Sequence, residues 1–295
     1  MTKWVIGIIG GSGLYEIEGL EGAEALHIET PWGAPSDALI KGQVGSVEFV
    51  FLPRHGKGHR LSPSTVPYRA NIDALKRAGC TDILSVSACG SLQAPYAPGE
   101  FVMVDQFIDR TFAREKSFFG PGMVAHVSVA DPICQRLSAL AGDAAEAAGA
   151  RVHRGGTYLA MEGPQFSSRA ESHLYRQWGC DVIGMTNMPE AKLAREAELP
   201  YATIAMVTDY DCWHAEAADV EVTDILGVMA ANTAKAKTTI SKLADHLQEV
   251  RRTPSPQGIE TCLDFAMITA PEARDPERLA MLDAVAGRVL GKSVT

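Results

Sequence analysis

Two aspartates follow one apolar run where the chain should leave the core. The run "YATIAMV" (201–207) has the unbroken apolar character of a strand covered on both faces, and Asp209 and Asp211 lie just beyond it. Residues i and i+2 of a strand point to the same side, so both carboxyls face one ligand edge if the extended backbone continues through Tyr210. Two acids in a dry pocket raise one pKa and favour the sharing of a single proton. Solvated loop acids or helix caps are the alternative interpretation.

A second polar group follows the strand-like run "VEFVFL" (47–52). In "FLPRHGKGHRLSPS" (51–64), Arg54 and His55 precede two glycines and His59. An arginine fork fits the oxygens of a phosphate. The H-x-x-x-H spacing is also found in metal sites, but Gly-Lys-Gly disfavours a helix and no third ligand is near in sequence. We therefore predict an anion site without metal, with a solvated basic loop as the alternative.

Two further strand ends carry glycine and small residues. "IGIIGGSGL" (6–14) departs from the G-x-G-x-x-G dinucleotide spacing and is interpreted as a phosphate turn with the Ser12 hydroxyl as a donor, or as a tight corner without a ligand. "SVSACGSL" (85–92) lets backbone approach a ligand at Gly90. Cys89 is interpreted as a packing residue, because no His or acid lies near it in sequence.

"MEGPQFSSRAES" (161–172) places Phe166 before a helix that begins near Ser167 or Ser168, with Glu171 suited to a capping box. Phe166 could stack on a flat ring. A core or staple position is the alternative for that side chain.

The elements that must position these residues alternate between strands and helices, which predicts βαβ units and a largely parallel sheet in one α/β domain at 1–250. A Pro-containing linker (251–258) and an apolar C-terminal arm (259–295) follow. The predicted strands are 4–10, 47–52, 83–88, 101–108, 182–185 and 201–207, and the predicted helices are 68–79, 131–150, 168–179, 189–199 and 222–248.

The composition narrows the class of function. Of 295 residues, 36 are acidic and 27 basic, and the net charge of −9 argues against nucleic acid or an acidic membrane as the main partner. We see no membrane span and no signal-peptide pattern. The six cysteines form no C-x-x-C pair, so reduced thiols in a cytoplasm are expected.

Seven blocks together resemble the methylthioadenosine phosphorylase branch of the purine nucleoside phosphorylases, over about residues 4 to 248. They are "GIIGGSGL", "PRHGKGH", "SACGSL", "QFIDRT", "EGPQFSSRAES", "MTNMPEAKLARE" and "TDYDCW". The resemblance implies a single-domain phosphorylase-like α/β fold with a mixed, largely parallel, partly barrel-like sheet flanked by helices. It also implies cleavage of a purine nucleoside by inorganic phosphate without metal or organic cofactor, in a homotrimer.

The resemblance also implies roles by position. The phosphate residues are Ser12, Arg54, His55, Ser87, Ala88 and Thr186, although the family more often has Thr at positions 12 and 87. The residues around base and sugar are His59, Cys89, Gly90, Phe166, Met185, Asp209 and Asp211. The methylthio pocket is implied at Val220, Val222, Ile225 and Leu226, which are also explained as the core stripe of a helix. His126 resembles a residue lent across a subunit contact.

The aspartates bear on the choice of base. Adenine offers a donor at its N6 amine and an acceptor at N7, which suits one carboxylate and one protonated carboxyl. The expected mechanism has Asp209 giving a proton to N7 and Asp211 holding N6. Two rivals stay open: a phosphorylase for 6-oxopurine nucleosides, including methylthioinosine, and a purine-binding sensor without turnover.

Overall fold

The computed structural model describes residues 3–11, 14, 16–214 and 222–291, with the backbone alone for 222–226. The strands are β1 Val5–Gly10, β2 Glu21–Leu26, β3 Leu39–Val44, β4 Val47–Pro53, β5 Asp82–Ser91, β6 Phe101–Met103, β7 Gln106–Asp109, β8 Val152–Arg154, β9 Thr157–Ala160, β10 Val182–Gly184 and β11 Tyr201–Asp209. The helices are α1 Tyr68–Arg77, α2 Gln135–Ala147, α3 Arg169–Gln177, α4 Glu190–Glu196, α5 Val222–Glu249, α6 Pro276–Met281 and α7 Gly287–Leu290.

All eleven strands belong to one mixed sheet that branches at β5. One path runs β2-β3-β4-β1-β5-β10-β9-β7, while β11 also pairs with β5 and leads through β6 to β8. The pairs β1–β4, β1–β5 and β5–β11 at its centre are parallel, whereas β5–β10 and β6–β11 are antiparallel. The prediction of a mixed, largely parallel sheet is confirmed. The described strands do not close into a barrel.

The central strands are those that the unbroken apolar runs predict. Every residue of β1 is buried, and β11 is buried from Tyr201 to Thr208, because helices cover both faces of this part of the sheet. The prediction of one strand over 101–108 is wrong. It divides at Val104–Asp105 into β6, which joins β11 and β8, and β7, which joins β9.

Helices α1 to α5 lie where the helical patterns predict them, each within a few residues. α3 begins with the expected capping box, in which the Ser168 hydroxyl accepts from the Glu171 amide and Glu171 accepts from the Ser168 amide. None of the described helices combines the length and the apolar character needed to cross a membrane.

The C-terminal segment packs against its own chain. Ile259, Leu263, Leu282 and Val285 are buried in the main core. Arg288 pairs with Glu198 at 2.6 Å, and Arg252, within the stretch predicted as a linker, pairs with Asp82 at 2.6 Å. Residues 251–258 contain no helix or strand.

Candidate active site

The carboxyl ends of four parallel strands define the site. In the register of β1, β4, β5 and β11, Gly10 lies beside Pro53 and Asp209 beside Gly90. The Arg54 amide donates to the Gly10 carbonyl at 2.9 Å, which holds the turn after β4 against the glycine turn after β1. Ligands of open α/β sheets bind at this edge, where polar side chains can converge without breaking strand pairing.

Arg54 is the fixed cation of the site and is only 2% exposed. Its Nε and Nη2 donate to the two Glu190 oxygens at 2.8 and 2.9 Å, and Nη2 also donates to Ser85 Oγ at 2.6 Å. Burial alone would lower the pKa of Arg54, but the Glu190 carboxylate more than offsets this and raises it. Glu190 occupies the Nε and Nη2 donors of the guanidinium. Nη1, whose one hydrogen bond among the described residues is to the Val86 carbonyl at 3.4 Å, is therefore the nitrogen best placed to donate to an anion.

His55 is held as a neutral ring. Nδ1 lies 2.9 Å from the Leu61 carbonyl, which can only accept, so Nδ1 carries the proton. Burial and the Arg54 charge lower the pKa of His55 to about 4. The exposed His59 ring stacks on it at 4.3 Å, and His59 has a left-handed φ of 55°. The two rings form a stack rather than a metal-chelating pair.

The expected hydroxyls converge from β5 and from the turn after β10. Ser87 Oγ accepts from the side-chain Nδ2 of Asn187 at 3.3 Å, and Tyr158 OH lies 3.3 Å from Thr186 Oγ1. Gly184 permits this approach, because a Cβ there would meet Tyr158 OH at 1.9 Å and the Ala88 carbonyl at 3.3 Å. Ser87, Ala88 and Thr186 are therefore brought together on one wall.

The aspartate pair meets at one point, but not by the geometry that the strand period predicts. β11 ends at Asp209, and Asp211 has a left-handed φ of 50°, so the expectation of an extended backbone through Tyr210 is wrong. Instead, Asp209 Oδ1 accepts from the Asp211 amide at 2.8 Å, which makes a tight turn. Asp209 Oδ2 accepts from the Thr208 hydroxyl at 2.6 Å.

The pKa values of both carboxyls are raised, so each binds a proton more readily than it would in water. Burial raises the pKa of Asp209, although the hydrogen bond from the Thr208 hydroxyl acts in the opposite direction. Burial also raises the pKa of Asp211, with the Ser172 hydroxyl opposing and the Asp209 charge reinforcing the shift. Asp211 Oδ2 is buried and has no hydrogen-bond partner among the described residues. Such a buried acceptor is satisfied by a donor from a ligand, by a proton of its own, or by the Ser172 hydroxyl, which is also buried without a partner in the described part of the chain.

Gly90 makes room for the pair. A Cβ at this position would lie 2.9 Å from Asp209 Oδ1 and 3.5 Å from Asp211 Cβ. The neighbouring Cys89 is buried, and burial, with the Asp209 charge, raises the pKa of its thiol well above the usual value. Cys89 is therefore held as a thiol, in line with its interpretation as a packing residue.

Phe166 lies on the segment that closes against the aspartate turn. Its ring is 56% exposed, while the next residue, Ser167, accepts from the Cys212 thiol at 3.3 Å through its carbonyl. Met185 packs on Gly163, where a Cβ would meet its sulfur at 2.5 Å. An exposed ring thus borders the turn that carries Asp209 and Asp211, and a thioether packs on the segment that bears this ring.

Several predicted residues lie elsewhere or outside the description. His126 is exposed on the surface, where its amide donates to the Ala266 carbonyl at 2.9 Å. Ser12 and Val220 lie outside the described residues, and the side chains of Val222, Ile225 and Leu226 do as well. Within the described part of the chain, no three His, Cys, Asp or Glu side chains group as a metal site requires.

Sequence reasoning missed the buried polar residues that hold Arg54 in place. Glu190, Asn187 and Tyr201 are all buried and joined by hydrogen bonds, yet Glu190 is 136 positions from Arg54. The one available signal was the charge of Glu190 at the start of an otherwise apolar helix face, and helix-start acids are common for other reasons.

Comparison with known proteins places this chain in a family. The model of the phosphorylase superfamily matches residues 5–245. The S-methyl-5'-thioadenosine phosphorylase of Cereibacter sphaeroides is 62% identical, over 98% of this chain and 99% of the relative, and that of Bradyrhizobium diazoefficiens is 59% identical, over 98% and 99%.

Solved structures of similar fold belong to the same family of enzymes. A methylthioadenosine phosphorylase from an antarctic soil metagenomic library superposes with a TM-score of 0.90 at 47% identity, over 97% of this chain and 99% of that one. The Schistosoma mansoni methylthioadenosine phosphorylase in complex with adenine gives 0.82 at 37% identity, over 90% and 99%. The chain belongs to the phosphorylase superfamily, and within it to the family of the S-methyl-5'-thioadenosine phosphorylases.

Proposed function

We propose that this protein cleaves S-methyl-5'-thioadenosine with inorganic phosphate, giving adenine and 5-methylthioribose 1-phosphate. The proposal rests on one observation above all: a buried carboxyl, Asp211, and a half-buried one, Asp209, both with raised pKa values, meet at the strand edge that also carries Arg54, His55 and Ser87. A purine edge and an anion can be held there together. Relatives that are 62% and 59% identical carry the same activity in their names.

The carboxyl pair takes the base. Asp211 Oδ2, buried without a partner among the described residues, accepts from the N6 amine of adenine. Asp209 is fixed by the Thr208 hydroxyl and the Asp211 amide, and its raised pKa suits it to give a proton or strong hydrogen bond to N7. Protonation at N7 lets the purine leave as a neutral base when the C1′–N9 bond breaks.

The anion site supplies the second substrate. As C1′ gains oxocarbenium character, a phosphate oxygen forms the new bond to C1′, and the remaining phosphate charge stabilises the cationic carbon. Arg54 Nη1, the Ser87 and Thr186 hydroxyls and the Ser12 hydroxyl hold the phosphate in this mechanism, and His55 offers Nε2 to a P–OH group. Orientation and electrostatics then carry most of the rate enhancement.

The remaining assignments also belong to this proposal. His59, Phe166 and Met185 border sugar and base, and Val222, Ile225 and Leu226 line the methylthio group. His126 completes the site of a neighbouring subunit in a homotrimer, and the protein works in the cytoplasm. No metal or organic cofactor takes part.

The decisive experiment measures adenine release from methylthioadenosine with and without phosphate. We expect turnover only with phosphate, at a rate that a chelator leaves unchanged. Equal rates in phosphate-free buffer would indicate hydrolysis and contradict the proposal. Inosine and methylthioinosine in the same assay separate the 6-oxopurine rival. A sensor would bind methylthioadenosine without releasing adenine.

A further inference from the structure

A chain of buried hydrogen bonds runs from Arg54 to Ser87. Arg54 Nη2 donates to Ser85 Oγ at 2.6 Å, and Ser85 Oγ donates to Asn187 Oδ1 at 2.8 Å. Asn187 Nδ2 then donates to Ser87 Oγ at 3.3 Å. Ser85 and Asn187 are fully buried, so water does not compete for these bonds.

The direction of this chain is fixed by its first member. A guanidinium has donors and no acceptor, so Ser85 accepts from Arg54, and its own proton is available to the Asn187 oxygen 2.8 Å away. The Asn187 oxygen is therefore the atom toward Ser85, and the Thr203 hydroxyl, 3.4 Å from the same oxygen, agrees with this orientation. The amide NH₂ is left facing Ser87.

We propose that Asn187 is a positioning residue that makes the Ser87 hydroxyl an obligate donor to the bound anion. Because Ser87 Oγ already accepts from the amide, its proton is free to point to the phosphate. The position is suited to this task, since Asn187 directly follows Thr186 and has a left-handed φ of 68°, a conformation that asparagine tolerates better than most residues. This inference rests on the proposed function, in which Ser87 contacts phosphate.

The chain also ties the parts of the anion site together. Asn187 contacts β5 through Ser85 and Ser87, and β11 through Tyr201. Tyr201 OH also lies 2.8 Å from the Glu190 oxygen that holds Arg54. A change at Asn187 is therefore expected to act on phosphate, not on the base edge at Asp209 and Asp211.

The test is Asn187→Asp, which keeps the oxygen toward Ser85 and replaces the donor that faces Ser87. We expect the KM for phosphate to rise about tenfold or more, as for a lost hydrogen bond to a charged group, with the KM for methylthioadenosine near the wild-type value. Phosphate protection against thermal unfolding should weaken by the same factor, and this measurement needs no turnover. Thr203→Val is the matched control, because Thr203 lies 3.4 Å from the same amide oxygen but outside the chain to Ser87.

A double-mutant cycle with Ser87→Ala separates hydroxyl orientation from the new negative charge. If Asn187 acts through the Ser87 proton, Asn187→Asp costs much less phosphate affinity in the Ser87→Ala background. An equal cost in both backgrounds, or unchanged phosphate affinity in Asn187→Asp, overturns the inference. Active wild-type enzyme with either result would leave the proposed function standing and remove only the role of Asn187.

A second measurement leaves Asn187 intact, in case its variants do not fold. Sulfate cannot donate a hydrogen bond at neutral pH, so it probes donors alone. An obligate Ser87 donor predicts that Ser87→Ala weakens sulfate and phosphate protection by the same factor. Weakened phosphate binding with unchanged sulfate binding would show that Ser87 accepts from the anion, which contradicts the inference.

Discussion

At the residue scale, the Asp209–Asp211 turn joins a fixed carboxyl to an unsatisfied one. Both Asp209 oxygens accept hydrogen bonds from the chain, whereas Asp211 Oδ2 has no partner among the described residues. The two acids therefore differ in what they offer a ligand, although burial raises the pKa of both. This asymmetry fits a base that presents one donor and one acceptor on the same edge.

Asp209→Asn tests the proton-donor role. The amide oxygen can still accept from the Asp211 amide, and the Thr208 hydroxyl can turn to accept from the new NH₂, so the turn should survive. We expect kcat/KM for methylthioadenosine to fall by about 10²–10⁴, the usual contribution of a general acid, with a gain in relative activity on 6-oxopurines. A panel of nucleosides measures both.

Tyr210→Phe is the matched control for that variant. The Tyr210 hydroxyl lies 3.4 Å from the Ala94 carbonyl, away from both carboxyls, so this variant should keep the wild-type base preference. Unchanged base preference in Asp209→Asn itself would remove Asp209 from the role given to it.

The residue types were readable from sequence, while their contacts were not. Asp209 ends a strand, while Asp211, Arg54 and His55 follow one, and polar residues at strand ends predict a site at the sheet edge. The turn at Asp211 was not predictable, because a left-handed φ at a non-glycine residue leaves no periodic signal. The Glu190–Arg54 pair depends on tertiary packing over 136 positions.

At the element scale, strands that lack an unbroken apolar run escaped prediction. β2, "EGAEAL", lies at one edge of the sheet and is almost wholly exposed, and β8 and β9 are three and four residues long. Their pairing is set by neighbouring strands rather than by their own composition. The strands that carry the site, β1, β4, β5 and β11, are long and mostly buried apolar runs. The position of the site could therefore be predicted although β2, β8 and β9 were not.

α4 is tied to the segment after β7 by a partly buried carboxyl. Glu196 accepts from the Ser117 hydroxyl and the Phe118 amide, each at 2.7 Å. Burial raises the pKa of Glu196 from 4.5 to about 7, although both donors oppose the shift. The folded chain therefore keeps this proton at pH values where the unfolded chain has lost it. The associated stability is full below about pH 4.5 and is lost as the pH rises to about 7.

Glu196→Gln should remove this pH dependence. The glutamine oxygen can accept from the Phe118 amide, and its NH₂ can donate to Ser117 Oγ, so no charge is buried at high pH. We expect the Tm of the variant to rise relative to wild type between pH 5 and pH 8. Thermal unfolding followed by circular dichroism measures this, with the exposed Glu24→Gln as a control. A Tm difference that is constant over this pH range would contradict the assignment.

At the scale of the whole molecule, the C-terminal segment has both an inner and an outer face. Its inner face fills the core with Leu263, Leu282 and Val285. Its outer face leaves Phe265 97% exposed and Ile268 60% exposed. Residues 124–126 pair with this segment, since the Ile268 amide donates to the Val124 carbonyl at 2.9 Å and Ala125 is bridged to Met267. His126 and Phe265 therefore lie in one surface patch.

This arrangement changes how the proposed trimer should be tested. Deleting residues 259–295 would remove buried core side chains, so lost activity after deletion would report unfolding as readily as lost assembly. A substitution at the exposed Phe265 leaves the core intact. Apolar side chains exposed side by side are typical of surfaces that contact another protein.

Phe265→Ser should therefore weaken assembly without unfolding the chain. We expect light scattering to give a trimer for wild type and a shift toward smaller species in the variant, with an unchanged Tm at high protein concentration. If the patch contributes to a neighbouring site, the KM for methylthioadenosine rises more than that for adenosine, because only the former loses apolar contact at its 5′ end. Leu174→Ser, an exposed leucine on α3, is the control and should remain a trimer. A wild-type monomer with full activity would refute the shared site, and an unaltered trimer in Phe265→Ser would place the subunit contact on another surface.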